Sequence, residues 1–144
     1  MEQLNLSTLI WLRMVRFVQN SNQLSNEHLR PYGLTLAQFE ALAHIRNFQP
    51  ITQSQLAEGL TVSGAGISRM LSRLEADGLI VRQQDWKTKH ISLTDLGRER
   101  LEAAFPSQLA QQSSLFDEGL DEGEKRQLHA LMKKLYDNSE ARRE

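Results

Sequence analysis

Helical periodicity dominates the pattern of apolar and polar positions, and its first stretch spans residues 4–29. Side chains at helical spacing form two neighbouring stripes along this stretch. The first stripe contains Ile10, Met14, Phe17, Ser21 and Leu24, and the second contains Trp11, Val15 and Val18. A helix that is apolar over two stripes needs two partners. We therefore expect one side to pack on its own domain and the other on a second subunit.

A break and a capping residue predict a second helix. Pro31 and Gly33 lie in a short segment that interrupts the first helix, because the residue before a proline avoids helical backbone. Thr35 is placed to cap a helix over residues 35–48 through the N–H of Gln38, and Pro50 ends it. The expected core residues of this helix are Phe39, Leu42, Ala43 and Ile45.

Residues 52–55 (TQSQ) fit a capping box in which Thr52 caps the helix and Gln55 reaches back. A short helix through Leu56 and Leu60 should follow, with a tight turn at residues 61–62 leading into a longer helix. A short helix, a turn and a longer helix in this order predict a helix-turn-helix.

The longer helix is predicted over residues 63–78, with Ser63 as its cap and Gly78 as its stop. Its apolar face contains Ile67, Met70, Leu71 and Leu74. The opposite face is small, hydroxylated and cationic, and contains Gly64, Ala65, Ser68, Arg69, Ser72 and Arg73. Two glycines in a first helical turn cost about 1 kcal/mol each relative to alanine, which makes sense if another molecule must approach the backbone. A DNA major groove admits one helix in this way.

Two other interpretations compete for this helix. An ordinary amphipathic helix with a smooth surface fits the same residues and stays open at this point. A dinucleotide-binding glycine loop does not fit, because Arg69 occupies the third glycine position and a helix, not a strand, is predicted before the loop.

The remainder of the chain predicts a hairpin and two further helices. Two extended segments, 79–84 and 90–93, flank a polar tip at residues 85–89 and form a wing. Thr94 should cap the next helix, which Pro106 kinks or divides. Residues 121–124 (DEGE) offer a last capping box before a helix with Leu128, Leu131, Met132 and Leu135. The fold class is thus mainly α with a small β-hairpin wing.

Composition restricts the function classes. The chain of 144 residues has no cysteine, so disulfides and thiolate zinc sites are excluded. No apolar run approaches the roughly 20 residues that span a bilayer, and the first residues lack the basic segment of a signal peptide, so we expect a cytoplasmic protein. The 17 basic and 18 acidic residues nearly balance, so support for nucleic-acid binding comes from local charge rather than net charge.

The region 34–98 resembles the MarR family of winged helix-turn-helix transcriptional regulators. The pieces that carry the resemblance are LTLAQF at 34–39, TQSQLA at 52–57, ISRMLSRLEADGLI at 67–80 and LTDLG at 93–97. The resemblance implies a homodimer whose first and last helices intertwine and whose two winged domains bind a pseudo-palindromic operator. The resemblance implies that the single chain, 1–144, has dimerisation helices at 1–33 and 95–144 and a DNA-binding region at 34–94. We expect no cofactor.

The wing departs from the family pattern. Family members carry an Asp-Arg-Arg tip on a longer loop, whereas the comparable run here is Asp85, Trp86 and Lys87 on a loop about three residues shorter. Minor-groove contact could be weaker here, or Trp86 could pack on sugar edges or on a neighbouring helix. We expect Trp86 to be a hydrophobic strut of the hairpin.

The predicted function is a sequence-specific DNA-binding regulator, a repressor released by a small aromatic ligand. The expected DNA-binding residues are Gln53, Ser54, Gln55, Ser63, Gly64, Ser68, Arg69, Ser72, Arg73, Lys87 and Lys89. The resemblance implies an aromatic acid as effector, lodged between the dimer helices and the winged domain. Its candidate lining residues are Trp11, Arg16, Phe39, His44 and Phe48, each of which also fits plain core or surface.

Two function classes compete with the regulator. Glu40 and His44 lie four residues apart on one helix, a spacing seen at metal sites, but no second such pair and no nucleophile motif accompanies them. We therefore expect neither a metal nor catalysis. A protein-binding adaptor could use the two-striped first helix, but the helix at 63–78 and the hairpin would then have no task.

Overall fold

The structure is a computed structural model that describes residues 2–61 and 66–144. Its elements in chain order are helix α1 (Leu6–Leu29), a 3-10 turn (Arg30–Tyr32), α2 (Leu36–Phe48), α3 (Gln53–Gly59), α4 (Ile67–Ala76), strands β1 (Ile80–Asp85) and β2 (Thr88–Leu93), α5 (Asp95–Asp117) and α6 (Glu122–Ala141). Residues 1–108 form one unit and residues 109–144 form a second. The predicted fold class, mainly α with a small hairpin, is confirmed.

The predicted capping residues begin their helices. Thr35 with Gln38, Thr52 with Gln55 and Asp121 with Glu124 each form a reciprocal capping box. Such boxes satisfy backbone N–H groups that the first turn of a helix leaves without partners. The helix starts at α2, α3 and α6 therefore follow from local sequence alone.

Helix α4 begins later than the sequence indicated. Its first residue is Ile67, and Gly66 occupies the N-cap position with a φ of 89°. Glycine adopts this left-handed backbone without steric strain, so Gly66 turns the chain into the helix and is not part of a first helical turn. The placement of the start at Ser63 is therefore wrong. Ser63 itself, with Gly64 and Ala65, lies outside the described residues.

Helix α5 continues through Pro106 and is not divided there. A proline inside a helix removes one backbone hydrogen bond, and two contacts to α1 lie directly after this proline. Ser107 Oγ lies 3.0 Å from His28 Nε2, and Gln108 Nε2 donates to Ser25 Oγ at 2.9 Å. The expectation that Pro106 divides the helix is therefore wrong, while the expected kink stays a prediction.

The core of the first unit joins the helix-turn-helix to the hairpin. Its fully buried side chains include Leu42, Ile45, Leu56, Leu71, Leu74, Ile80 and Ile91. The backbone N–H of Ile51 donates to the Ile91 carbonyl at 3.1 Å, and the reciprocal bond measures 2.7 Å. These bonds attach the segment before α3 to β2, so the hairpin and the helix-turn-helix share one framework.

The wing is a regular antiparallel hairpin with a shorter tip than predicted. The strands pair from Ile80 with Leu93 at the base to Asp85 with Thr88 at the end. Only Trp86 and Lys87 form the turn, so the predicted tip over residues 85–89 was too long. Both faces of this part of the hairpin are polar and exposed, and hydropathy alternation therefore could not reveal that Lys89 belongs to a strand.

The second unit contains the end of α5 and helix α6. Lys125 Nζ lies 2.7 Å from Asp117 Oδ1 and 3.0 Å from Glu122 Oε2. Hydrogen bonds to these two carboxylates raise the pKa of Lys125. Among the described residues, no helix is long and apolar enough to cross a bilayer.

The start of α5 packs tightly on the start of the wing. Thr94 Oγ1 accepts a hydrogen bond from the N–H of Gly97 at 3.0 Å and donates to the Gly78 carbonyl at 2.6 Å. A Cβ added at Gly97 would overlap the carbonyl of Leu79. This contact requires glycine at position 97 although glycine is unfavourable in a helix.

We predict that Gly97→Ala lowers the free energy of unfolding by about 1–3 kcal/mol, because the added methyl group overpacks the junction. Gly123→Ala is the matched control. It also lies in a first helical turn, but its added Cβ would only reach ordinary contact with Asp121 Oδ1. Urea denaturation at one protein concentration measures both. Equal stability of the two variants would contradict the close approach.

Candidate nucleic-acid interface

Helix α4 presents its polar face to solvent. Ile67, Leu71 and Leu74 are buried in the core. The opposite face carries the exposed residues Ser68, Arg69, Ser72 and Arg73. The predicted binding face is therefore not covered by the protein's own core.

The two guanidinium groups on this face differ in their surroundings. Arg73 Nε lies 3.3 Å from Asp77 Oδ2, one turn along the helix. Arg69 has no hydrogen bond or ion pair with any other described residue. An exposed pair at this spacing stabilises a helix by only about 0.3–0.5 kcal/mol, so Arg73 can exchange Asp77 for another anion. Arg69 is therefore available for a base edge or a phosphate without losing a partner among the described residues.

Two serines on α4 receive hydrogen bonds from neighbouring elements. Gln53 Nε2, in the first turn of α3, donates to Ser68 Oγ at 2.6 Å. Arg82 Nη2, in β1, donates to Ser72 Oγ at 3.2 Å. Each serine keeps its own O–H as a donor. The serines thus fix α4 relative to α3 and the wing and can still bind an acceptor on another molecule.

Sequence reasoning missed Arg82 as a structural link. Its side chain is 17% exposed, and its Nε lies 3.5 Å from Glu75 Oε2. The two groups form an ion pair at this distance, but Arg82 Nε donates no hydrogen bond to a described residue. The interaction joins β1 to α4 across the helix end, and no local spacing rule indicates it.

The first turn of α3 is accessible beside α4. Ser54 and Gln55 are exposed and Gln53 is half-buried. Gln55 Oε1 accepts from the Thr52 N–H at 3.0 Å, so this oxygen serves the capping box. The amide nitrogen of Gln55 and the hydroxyl of Ser54 remain as polar groups at this surface. The expected contacts Ser63 and Gly64 lie outside the described residues.

The wing tip carries two lysines and a tryptophan. Lys87 and Lys89 are exposed, and neither forms an ion pair with a described residue. The side chain of Trp86 is 92% exposed. The expectation that Trp86 is a hydrophobic strut is therefore wrong, because a two-residue turn leaves the indole no apolar surface to cover.

The five candidate effector residues fall into three groups by their contacts. Phe39 stacks on Phe105 with ring centroids 5.7 Å apart, and the Arg46 guanidinium lies 4.6 Å from the Phe105 centroid. The ring of His44 lies 4.7 Å from the ring of Phe48. Trp11 and Arg16 are exposed on α1. The residues therefore form an aromatic stack, a separate ring pair and an exposed helix surface.

A cleft of about 880 Å³ lies elsewhere in the first unit. It is lined by Asn22, Asn26, Arg30, Gly33, Leu34, Thr35, Leu36, Ala37, Gln38, Arg73 and Asp77. Thr35 and Gln38 already bond to each other in the α2 capping box, and Asp77 is the partner of Arg73. None of the five candidate effector residues lines it.

The Glu40–His44 pair is engaged in packing and hydrogen bonding. Both carboxylate oxygens of Glu40 accept from Thr61 Oγ1, at 2.9 and 2.8 Å. The ring of His44 packs against Gly59 and Phe48. Within the described residues, no group of three or more His, Asp or Glu side chains could hold a metal ion.

Known proteins that resemble this chain are transcriptional regulators with a helix-turn-helix. The MarR family model matches residues 34–87. An uncharacterized HTH-type transcriptional regulator of Bacillus cereus strain ATCC 14579 is 57% identical over 135 residues, which are 94% of this chain and 92% of the relative.

Solved structures extend the likeness to almost the whole chain. The oxidized form of MarR from E. coli superposes with a TM-score of 0.75 at 30% identity, covering 94% of this chain and 96% of the other. The MarR family regulator AbsC from Streptomyces coelicolor shares the fold, with a TM-score of 0.83 at 20% identity over 98% of this chain and 99% of the other. The chain therefore belongs to the MarR family and is a DNA-binding transcriptional regulator rather than an enzyme.

Proposed function

We propose that this regulator acts in the cytoplasm as a repressor that binds a pseudo-palindromic operator as a homodimer. The exposed face of α4 carries the proposal. It combines Arg69, which pairs with no described residue, with two serines that neighbouring elements hold in place. Arginine at such a position makes bidentate contacts to guanine in the major groove. The flanking phosphates are then bound by the first turn of α3, by two residues between α3 and α4, and by the wing. These residues are Gln53, Ser54 and Gln55, then Ser63 and Gly64, then Lys87 and Lys89.

The first helix supports the homodimer. Large apolar side chains on α1 are exposed in the single chain, among them Trp11 at 59% and Val18 at 51%. Helix α6 likewise exposes Leu131, Leu135 and Tyr136. Exposed apolar surface of this extent marks an interaction site. We assign residues 1–33 and 95–144 to the dimer and residues 34–94 to DNA binding.

We expect Arg69→Ala to weaken binding to a duplex that the protein selects from a random pool. Each arginine–guanine contact contributes about 1–3 kcal/mol, so the loss of one contact in each subunit weakens binding about 30-fold or more. Electrophoretic mobility shift at fixed salt measures the effect. Arg126→Ala, which removes an exposed arginine of α6, is the control and should bind as the wild type does. Wild-type affinity of Arg69→Ala would contradict the assignment of α4 to the major groove.

Val18→Glu should convert the dimer to a monomer, because it places a charge on the exposed apolar side of α1. Gln23→Glu adds the same charge five residues on, roughly 140° around the helix, and should leave the dimer intact. Sedimentation equilibrium of both variants at one concentration distinguishes them. An unchanged mass for Val18→Glu would show that this face of α1 is not an interface.

We further propose that a small aromatic acid releases the operator and that Phe48 contributes to its site. Phe48 is 60% exposed beside the ring of His44, which leaves an aromatic surface open to a ligand ring. His44, Trp11, Arg16 and Phe39 stay further candidates from the sequence, although the contacts of Phe39 lie apart from the His44–Phe48 pair. Benzoate should release the selected duplex from the wild type at lower concentration than from Phe48→Ala. Butyrate, a carboxylate without a ring, is the control. Release by neither acid, or by both equally, would contradict an aromatic site.

A further inference from the structure

Trp86 occupies the most prominent position of the wing. It is the first of the two turn residues, directly after the Asp85–Thr88 pair, and its side chain is 92% exposed. Tryptophan has a large apolar ring system whose burial is favourable. An indole held in water at a hairpin tip therefore contributes nothing to the stability of this hairpin.

The backbone at Trp86 also opposes a purely structural role. Its φ is +59°, and among the described residues Trp86 is the non-glycine residue with a left-handed backbone. Two-residue hairpin turns that need this conformation favour asparagine, aspartate and glycine. A bulky residue at positive φ is a genuine outlier, and such outliers cluster at functional sites. Gln84 Nε2 donates to the Trp86 carbonyl at 3.3 Å and supports the turn.

The charges around the indole favour an anionic partner. Lys87 and Lys89 are exposed without an ion pair to a described residue, and Asp85 is the acid at the same end of the hairpin. Two lysines against one aspartate leave the tip cationic. Lysine side chains of this kind bind phosphate as mobile point charges.

The base of the hairpin is held in place relative to α4. Arg82 bonds to Ser72 and pairs with Glu75, both on α4, and β2 bonds to Ile51 before α3. The base of the wing is therefore attached to α4, the helix that we propose enters the major groove.

We propose that Trp86 is an apolar wedge for the DNA minor groove, next to the half-site that α4 contacts. The inference rests on the proposed function. The minor groove is roughly 6 Å wide, which admits a flat ring edge-on, and apolar side chains that enter it unstack base steps. The indole packs on sugar edges or against an opened step, and Lys87 and Lys89 bind the phosphates on either side. Because the indole is uncharged, it adds affinity without releasing counterions.

Fluorescence tests the contact directly, because the chain has only the two tryptophans Trp11 and Trp86. In Trp11→Phe, Trp86 is the only indole. Addition of a duplex selected from a random pool should lower its emission and protect it from quenching by acrylamide. Trp86→Phe retains Trp11 alone and should show neither change.

Salt dependence separates a wedge from a phosphate contact. Trp86→Ala should weaken binding about 30-fold or more, the size of one lost stacking contact in each subunit. The slope of log affinity against log salt should stay unchanged. Lys87→Ala should lower that slope by about one for each subunit on the duplex. Circular dichroism should be unchanged in both, since the tip lies outside the core.

The outcomes distinguish the wedge from the proposed function. If a duplex is selected and its binding depends on Arg69, but Trp86 emission and the affinity of Trp86→Ala stay at wild-type values, the wedge is wrong and the regulator stands. A lower salt slope for Trp86→Ala would also overturn it. If no duplex is selected, both proposals fail.

Discussion

The structure depends on the burial of one side of α4. Ile67, Leu71 and Leu74 enter the core shared by α2, α3 and the hairpin, and each buried side chain of this size contributes about 1.5–3 kcal/mol. Rotation of the helix about its axis would expose these residues, so the core determines which side chains face solvent. Burial of the apolar side therefore leaves the polar side of α4 in solvent, with Ser68, Arg69, Ser72 and Arg73.

Weaker polar bonds then set the positions of the surrounding elements. The Gln53–Ser68 bond joins α3 to α4, and the contacts of Arg82 with Ser72 and Glu75 join the wing to α4. A neutral hydrogen bond contributes only about 0.5–1.5 kcal/mol, and one to a charged group about 1.5–3 kcal/mol, so these bonds add less stability than the core does. Their effect is geometric: α3, α4 and the hairpin form a single surface on which a duplex can contact all three.

Features decided by neighbouring residues were predictable from the sequence. The capping boxes at Thr35, Thr52 and Asp121 depend on residues three apart, and the apolar face of α4 depends on helical spacing. Features decided by backbone conformation or distant contacts were not. The start of α4 depends on the left-handed φ of Gly66, and α5 continues through Pro106 where Ser107 and Gln108 contact α1. The exposure of Trp86 and the contacts of Arg82 could not be predicted without the pairing register of the hairpin. The roles of Ser63 and Gly64 stay predictions.

Selection of bound duplexes from a random pool tests the central claim most directly, because it assumes neither an operator nor an effector. If α4 is presented twice by a symmetric dimer, the selected sequences will share a pseudo-palindrome with half-sites about one helical turn, or a multiple of one turn, apart. Substitution of Arg69 will then relax the base preference at one position in each half-site. Recovery of an asymmetric single site, or of no enriched sequence, would contradict the account.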